Sequence, residues 1–271
     1  MSRYPRPFLK WAGNKHRSLD RILPRLPAGE RLIEPFAGAA AVTLAADYPA
    51  YRLVDSNPDL IGLFRAVRDG GEDFIQRARA LFEDGNDADL YYARRAAFNA
   101  EADPVERAAL FLYLNRHGYN GLCRYNRRGG FNVPFGRHAR PYFPERELAA
   151  FARQAREREV DLAVGDFETE LDAARPGDVV YCDPPYAPLS TTADFTAYAP
   201  GPFADDAQAR LAAAARRAAE RGVPVVISNH DTPVVREYYR DADLDSFPVA
   251  RTISRQGDSR RPVAEVLALF A

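Results

Sequence analysis

The chain has 271 residues, 46% of them hydrophobic and 28% charged, and a formal net charge of −1. That is the composition of a soluble globular protein, long enough for one large α/β domain or for a core with an inserted module. It excludes a low-complexity or membrane-spanning chain, and no charged-then-apolar leader opens it. The near-zero net charge hides local asymmetry and so says little about partners. The two cysteines, Cys123 and Cys182, lie far apart and outside any CxxC or histidine cluster. Neither a disulfide framework nor a metal site is expected, and a reducing cytoplasm is the expected setting.

In chain order, PFLKWAGNK (residues 7–15) comes first, a loop of small residues with two lysines and the only tryptophan. Backbone N–H groups beside Lys15 suit an anion, and Gly13 allows unusual backbone angles. Alternatively, Trp11 is core and Lys15 solvated. A short helical pattern follows. RLIEPFAGAAAVTL (31–44) reads as strand, tight turn and helix, with small residues that let a ligand approach the backbone. A GxGxxG dinucleotide fingerprint is absent, because only Gly38 is present. The next strand, 51–55, ends on Asp55, about twenty residues past the turn, the offset at which a carboxylate meets ribose hydroxyls. Alternatively, Asp55, Ser56 or Asn57 caps the next helix.

From Pro58 the pattern turns helical, with amphipathic stretches at 59–68, 72–82, 89–99 and 104–115, the last opened by an Asp103 cap and Pro104. Residues 116–140 contain no acidic side chain and mix arginine with tyrosine, asparagine and glycine. Residues 126–131 predict a hairpin turn. Arginine serves phosphates and guanine edges, asparagine serves adenine edges, and aromatics stack or wedge, so this segment points to nucleic acid.

The second half returns to α/β, with a helix at 145–158 and a strand at 160–164. Asp166 and Phe167 follow as a base contact or as a cap and a core ring. Next come VVYCDPPY (179–186), a polar stretch at 190–202 long enough for a mobile cover, and a helix at 205–221. A buried strand at 223–228 precedes an antiparallel pair at 245–253 and 263–270, joined by a basic turn at 255–261.

The DPPY stretch organises the rest. Proline cannot continue a strand ladder, so the strand stops at Asp183 and leaves its carboxylate and the Tyr186 ring at the ligand-binding end of the sheet. Asp183 and the C=O of Pro184 can each accept one N–H of an amino group on a flat heterocycle, and Tyr186 can stack on the ring. Two acceptors favour the pyramidal amine that frees a lone pair otherwise delocalised into the ring.

FLKWAGNK, EPFAG, VDSN, LYLNRHGYNGLCRYN, FNVPFGR, DPPYAPLSTTADFTAY and ISNHD stand in the order found in the DNA adenine methylase family, and the chain resembles that family over nearly its whole length. The resemblance implies an α/β fold: a Rossmann-like S-adenosylmethionine-dependent methyltransferase core, a mixed sheet with helices on both faces, formed by 1–56 and 145–271. It also implies a mainly helical target-recognition module with a β-hairpin, 57–144. The implied activity is methyl transfer from S-adenosyl-L-methionine to adenine N6 in double-stranded DNA, at GATC, by base flipping and as a monomer without a metal. Asp183, Pro184 and Tyr186 would hold the target adenine. Trp11, Lys15, Phe36, Gly38, Asp55, Asp166, Phe167 and Asp183 would form the cofactor site. Lys10, Tyr119, Asn120, Leu122, Arg124, Pro134, Arg137 and His138 would contact DNA. Asn14 and Ala40 stand where many members have glycine, and His138 where tyrosine is more usual. Rival readings are a cofactor-sensing DNA-binding regulator and a methyltransferase acting on RNA or cytosine N4.

Overall fold

The computed structural model describes residues 3–83, 85–186, 205–249 and 263–271. Seven strands form one sheet: β1 (Arg31–Glu34), β2 (Ala50–Asp55), β3 (Glu159–Val164), β4 (Asp178–Cys182), β5 (Val225–His230), β6 (Asp243–Val249) and β7 (Val263–Phe270), in the order β3-β2-β1-β4-β5-β7-β6. The first five run parallel, and β7 is antiparallel to both β5 and β6. The helices are α1 (Leu19–Ile22), α2 (Ala41–Ala45), α3 (Pro58–Glu83), α4 (Ala88–Ala100), α5 (Pro104–His117), α6 (Glu145–Glu157), α7 (Phe167–Ala173), α8 (Asp205–Glu220) and α9 (Pro233–Tyr238).

This is a Rossmann-like α/β core, and its central strands are apolar for a physical reason. A parallel strand covered on both faces must bury successive residues on opposite sides. In β4, Val179 and Tyr181 join a core with residues of α3, α5 and α6. Val180 and Cys182 join the opposite core with α7, α8 and α9. Strand order reverses between β1 and β4, which are paired at Leu32–Val179 and Ile33–Val180. The carboxyl ends at such a reversal leave a crevice, and there β1, β2 and β4 deliver Glu34, Asp55 and Asp183.

β4 ends at Cys182, one residue before Asp183, where the prolines require it to stop. α3 runs through both helical patterns expected at 59–68 and 72–82, broken by Gly71 at φ 49° and ψ −125°. Asn57 caps it, its Oδ1 accepting from the N–H groups of Asp59 (3.0 Å) and Leu60 (3.3 Å). The Asp103 carboxylate caps α5 by accepting from Val105 (3.0 Å) and Glu106 (2.9 Å). Phe64 of α3 packs against Phe8 at 5.3 Å and Phe151 at 5.1 Å between ring centroids, so the helical segment and the sheet share a continuous core.

The expected hairpin turn at 126–131 is present: Tyr125 and Phe131 form an antiparallel bridge, flanked by Asn126 N–H donating to the Gly130 carbonyl (2.8 Å) and Asn132 N–H to the Arg124 carbonyl (3.0 Å). On the outer edge of the hairpin, Phe131 N–H donates to the Asn99 side chain (2.8 Å), whose amide donates back to the Phe131 carbonyl (3.1 Å). The polar stretch at 190–202 and the basic turn at 255–261 lie outside the described residues.

Candidate active site

Lys15 sits in a short 3-10 turn, Lys15–Arg17, capped by Asn14, whose Oδ1 accepts from His16 N–H at 2.9 Å. That turn aims the Lys15 ammonium inward. Its Nζ lies 2.9 Å from Asp183 Oδ1 and donates to the Gly13 carbonyl at 2.8 Å. It also stands 4.4 Å above the Tyr186 ring. Lys15 is therefore neither solvated nor waiting for an anion; it pairs with the acid at the centre of the DPPY corner. Burial pulls the ammonium's pKa down, but Asp183, with Tyr181 and Glu265, outweighs this and holds it above its ordinary value. Burial pushes the Asp183 carboxyl up, against the pull of Lys15 and Ser228. The pair keeps access to the crevice, with 7% of the Lys15 side chain and 21% of the Asp183 side chain exposed.

Four buried residues that motif reading gave no role complete the corner. Ser228 Oγ donates to Asp183 Oδ1 at 3.0 Å, and Tyr181 OH donates to Ser228 Oγ at 3.1 Å. The Lys15 and Ser228 contacts share Oδ1, so neither occupies Oδ2. Gln208 Nε2 donates to the Pro185 carbonyl at 3.0 Å, and Asn229 Nδ2 donates to Gln208 Oε1 at 2.9 Å. Among the described residues none donates to the Pro184 carbonyl. The Gln208 contact fixes the Pro185 carbonyl. Adjacent Ser228 and Asn229 at the end of an apolar strand were the available signal; Gln208, on a distant helix, gave none. Tyr186 meets the His230 ring edge at 4.6 Å, and its hydroxyl lies 3.4 Å from Glu265 Oε2.

Beside this corner lies the small-residue turn. Gly38 adopts φ 46° and Ala40 φ 53°. A Cβ on Gly38 would come within 3.1 Å of the Trp11 indole, so glycine allows that contact. Asp55 does not cap α3: its Oδ2 accepts from Gly38 N–H (3.1 Å) and its Oδ1 from Asn57 N–H (3.0 Å). Burial pushes its carboxyl up. Phe36 stacks on Phe167 at 5.4 Å, and Asp166 caps α7 by accepting from Glu168 N–H at 3.0 Å. Phe167 is 5% exposed and forms part of the core. The cap and the core packing are both present, and neither bears on whether these two residues also meet a base. Glu34, at the end of β1, accepts from Thr43 N–H at 2.7 Å and from the Thr43 hydroxyl. Its pKa is pushed up to about 7, chiefly by burial and further by Asp183. Of the carboxylates at these strand ends, Asp183 pairs with Lys15 and also acts on Glu34. Among the described residues no cluster of His, Cys, Asp or Glu is arranged to hold a metal, and no helix is long and apolar enough to cross a membrane.

The basic segment forms an exposed face carried on α5. Tyr119, Asn120, Arg124, Pro134 and Arg137 are exposed, while Leu122 and His138 are half-buried. Asn120 and Arg137 hold φ of 53° and 50°. Arg124 Nε donates to Asn132 Oδ1 at 2.7 Å, which fixes the plane of the guanidinium. The support beneath is buried. Asp59 accepts from Arg107 (2.6 and 3.2 Å) and from the Tyr125 hydroxyl. Tyr91 OH and Arg95 both donate to the Val133 carbonyl at 3.0 Å. Lys10 joins this face because Asn115 Oδ1 accepts from its N–H (2.9 Å) while Asn115 Nδ2 donates to its carbonyl (2.7 Å).

The family profile described as D12 class N6 adenine-specific DNA methyltransferase matches residues 11–253. This chain belongs to that family. A protein named DNA adenine methylase from Escherichia coli strain K12 is 51% identical over 266 residues, covering 98% of this chain and 95% of that one. Another of that name, from Vibrio cholerae serotype O1, is 48% identical over 267 residues, covering 98% and 96%. Among solved structures, a putative RNA methyltransferase from Pyrococcus horikoshii aligns with a TM-score of 0.37 and 11% identity, covering 100% of this chain and 90% of that one.

Proposed function

We propose that this methyltransferase acts on adenine N6 at GATC in double-stranded DNA, with the adenine flipped out of the helix and S-adenosyl-L-methionine as donor. The observation that carries the reading is the DPPY corner: Asp183 held by Lys15 and Ser228, beside a Pro184 carbonyl to which no described residue donates. A flipped adenine amine donates one N–H to Asp183 and one to Pro184, and Tyr186 covers the base. When bound, S-adenosyl-L-methionine supplies a methyl group on a positively charged sulfur. The residues present fit that group: Asp55 accepts from Gly38 in the turn that would carry its ribose, and Trp11 and Phe36 offer apolar walls. Lys15, Gly38, Asp166 and Phe167 complete the proposed site.

Lys15 and Ser228 keep the Asp183 carboxylate in place as an acceptor. Asp183 is not asked to deprotonate the amine beforehand, since that amine is far too weak an acid. The nitrogen lone pair would form the new N–C bond as the methyl's bond to sulfur breaks, the sulfur would keep that electron pair as a neutral thioether, and the surplus proton on nitrogen would then pass to water. Orientation of this kind is worth roughly 7–11 kcal/mol. Flipping costs a few kcal/mol, and Tyr119 or Asn120 would fill the gap. Leu122, Arg124, Pro134, Arg137, His138 and Lys10 are the proposed contacts to bases and backbone. Residues 57–144 serve as the recognition module and 1–56 with 145–271 as the catalytic core. A monomer in the cytoplasm is the proposed setting, and buried free Cys123 and Cys182 suit it.

Mapping methyladenine in the DNA of a methylation-free host that expresses the chain tests this. Methylation at GATC is expected. Another motif would overturn the site assignment; unmodified DNA would favour a binding-only regulator; methylcytosine or modified RNA would favour the other rivals.

A further inference from the structure

Strand β5 outlasts its neighbour. β4 pairs with it as far as Cys182–Ile227, and then Pro184 and Pro185, which lack N–H groups, end the ladder. β5 goes on through Ser228, Asn229 and His230, held on its other edge by β7. Past the last backbone pair, side chains take over. Ser228 reaches Asp183 directly. Asn229 reaches Pro185 through Gln208 of α8, with 2.9 Å from Asn229 to Gln208 and 3.0 Å from Gln208 to the carbonyl. Both amides are shut off from water, Gln208 at 1% exposure and Asn229 at 0%.

This relay has one direction. It starts at the backbone N–H of His230, which donates to Asn229 Oδ1 at 2.8 Å. It ends at the backbone carbonyl of Pro185. A backbone N–H only donates and a carbonyl only accepts, so each amide between them has a single orientation. Asn229 turns its NH2 to Gln208 Oε1, and Gln208 turns its NH2 to Pro185. Asn229 Nδ2 also donates to the Tyr239 hydroxyl at 3.0 Å, which suits the same orientation.

We propose that Gln208, oriented by Asn229, is a positioning residue for methyl transfer: by holding the Pro185 carbonyl it sets the direction of the Pro184 carbonyl. This rests on the reading of Asp183 and Pro184 as the acceptors of the target amine. The two planar peptide units that carry these carbonyls meet at the Cα of Pro185, so only φ and ψ of that residue relate them. The pyrrolidine ring holds φ at about −65°. The bond from Gln208 holds the second plane and so leaves ψ no play. Pro184 is restricted as well, by its own ring and by the proline that follows it. The amine must meet two acceptors at once, so a misdirected carbonyl is felt in the rate. Duplex affinity is spread over the basic face and is not touched.

The test measures single-turnover methylation at saturating S-adenosyl-L-methionine, duplex affinity and unfolding stability in three variants. Gln208→Met keeps the length of the side chain and removes the donor. Its rate is expected to fall about a hundredfold, with duplex affinity unchanged. Asn229→Leu leaves Gln208 buried without its orienting partner, and a smaller loss of rate is expected. The double variant removes that orphaned amide, so it is expected to be more stable than Asn229→Leu and yet slower, at the rate of Gln208→Met. It also makes the comparison with the parent if a single variant does not fold. A parental rate in Gln208→Met, a matching loss of duplex affinity, or a rate that follows stability through the series would overturn the role of Gln208. A double variant slower than Gln208→Met by the full Asn229→Leu factor would remove Asn229 as its orienter. Asp183→Ala separates the two layers. If it keeps turnover, the reading of the corner itself falls; if it is inactive while Gln208→Met runs at the parental rate, only the positioning role falls.

Discussion

The DPPY corner and the basic face proposed to read DNA solve opposite electrostatic problems. At the corner the charges are withdrawn from water and set against one another: Lys15 on Asp183, with Ser228 and Tyr181 behind. At the reading face the arginines stand in solvent, and the buried charge lies underneath, in Asp59 with Arg107 and Tyr125. A site that must orient one amine needs fixed dipoles in a dry crevice, where electrostatic interactions are strong. A face that must find a polyanion needs accessible cations, and its precision comes from rigid support below.

Three variants test that contrast. Asp183→Ala removes the proposed acceptor of the target amine and the partner of Lys15. Turnover is expected to be abolished, by more than about a thousandfold, with duplex DNA binding little changed. Single-turnover rates and fluorescence anisotropy would measure the two, and near-normal turnover would remove Asp183 from the chemistry.

Asp59→Ala leaves Arg107 and Tyr125 without their shared acceptor. Breaking a buried charge pair from one side costs about 3–5 kcal/mol, so chemical denaturation should show a loss of that order. If the support also sets the reading geometry, the surviving folded protein should discriminate sites less well while methylating its best site at a similar rate. Unchanged stability would mean that the exposed face needs no buried brace.

The smallest effect concerns Glu34. Its pKa is pushed up to about 7 from an ordinary 4.5, first by burial. Between those values the folded state holds a proton that the unfolded chain has lost. Stability therefore falls as pH rises from about 4.5 to about 7 and levels off above that. Glu34→Gln does not titrate, so relative to the parent it should gain roughly 2–3 kcal/mol between pH 5 and pH 8. Parallel stability curves for the two proteins would show that Glu34 is ionised throughout.

The elements themselves were largely legible in the sequence. Apolar runs located β4 and β5, and Pro184 and Pro185 located the end of β4, because these signals act over a few residues. Asp103 announced its helix for the same reason. The hairpin turn was legible too, from the glycines at 129 and 130, whereas nothing local announced that Asn99, a helix away, holds the outward-facing backbone groups of Phe131.

The sequence by itself determined the family and the strand-end placement of Asp55 and Asp183, because motif order and local backbone chemistry are written in adjacent residues. Only the tertiary structure decided that Lys15 pairs with Asp183, that Gln208 holds the Pro185 carbonyl and that Asn115 clamps Lys10. Those partners lie 168, 23 and 105 positions apart. Nothing in a local pattern records which distant side chain the folded core will bring within hydrogen-bonding distance.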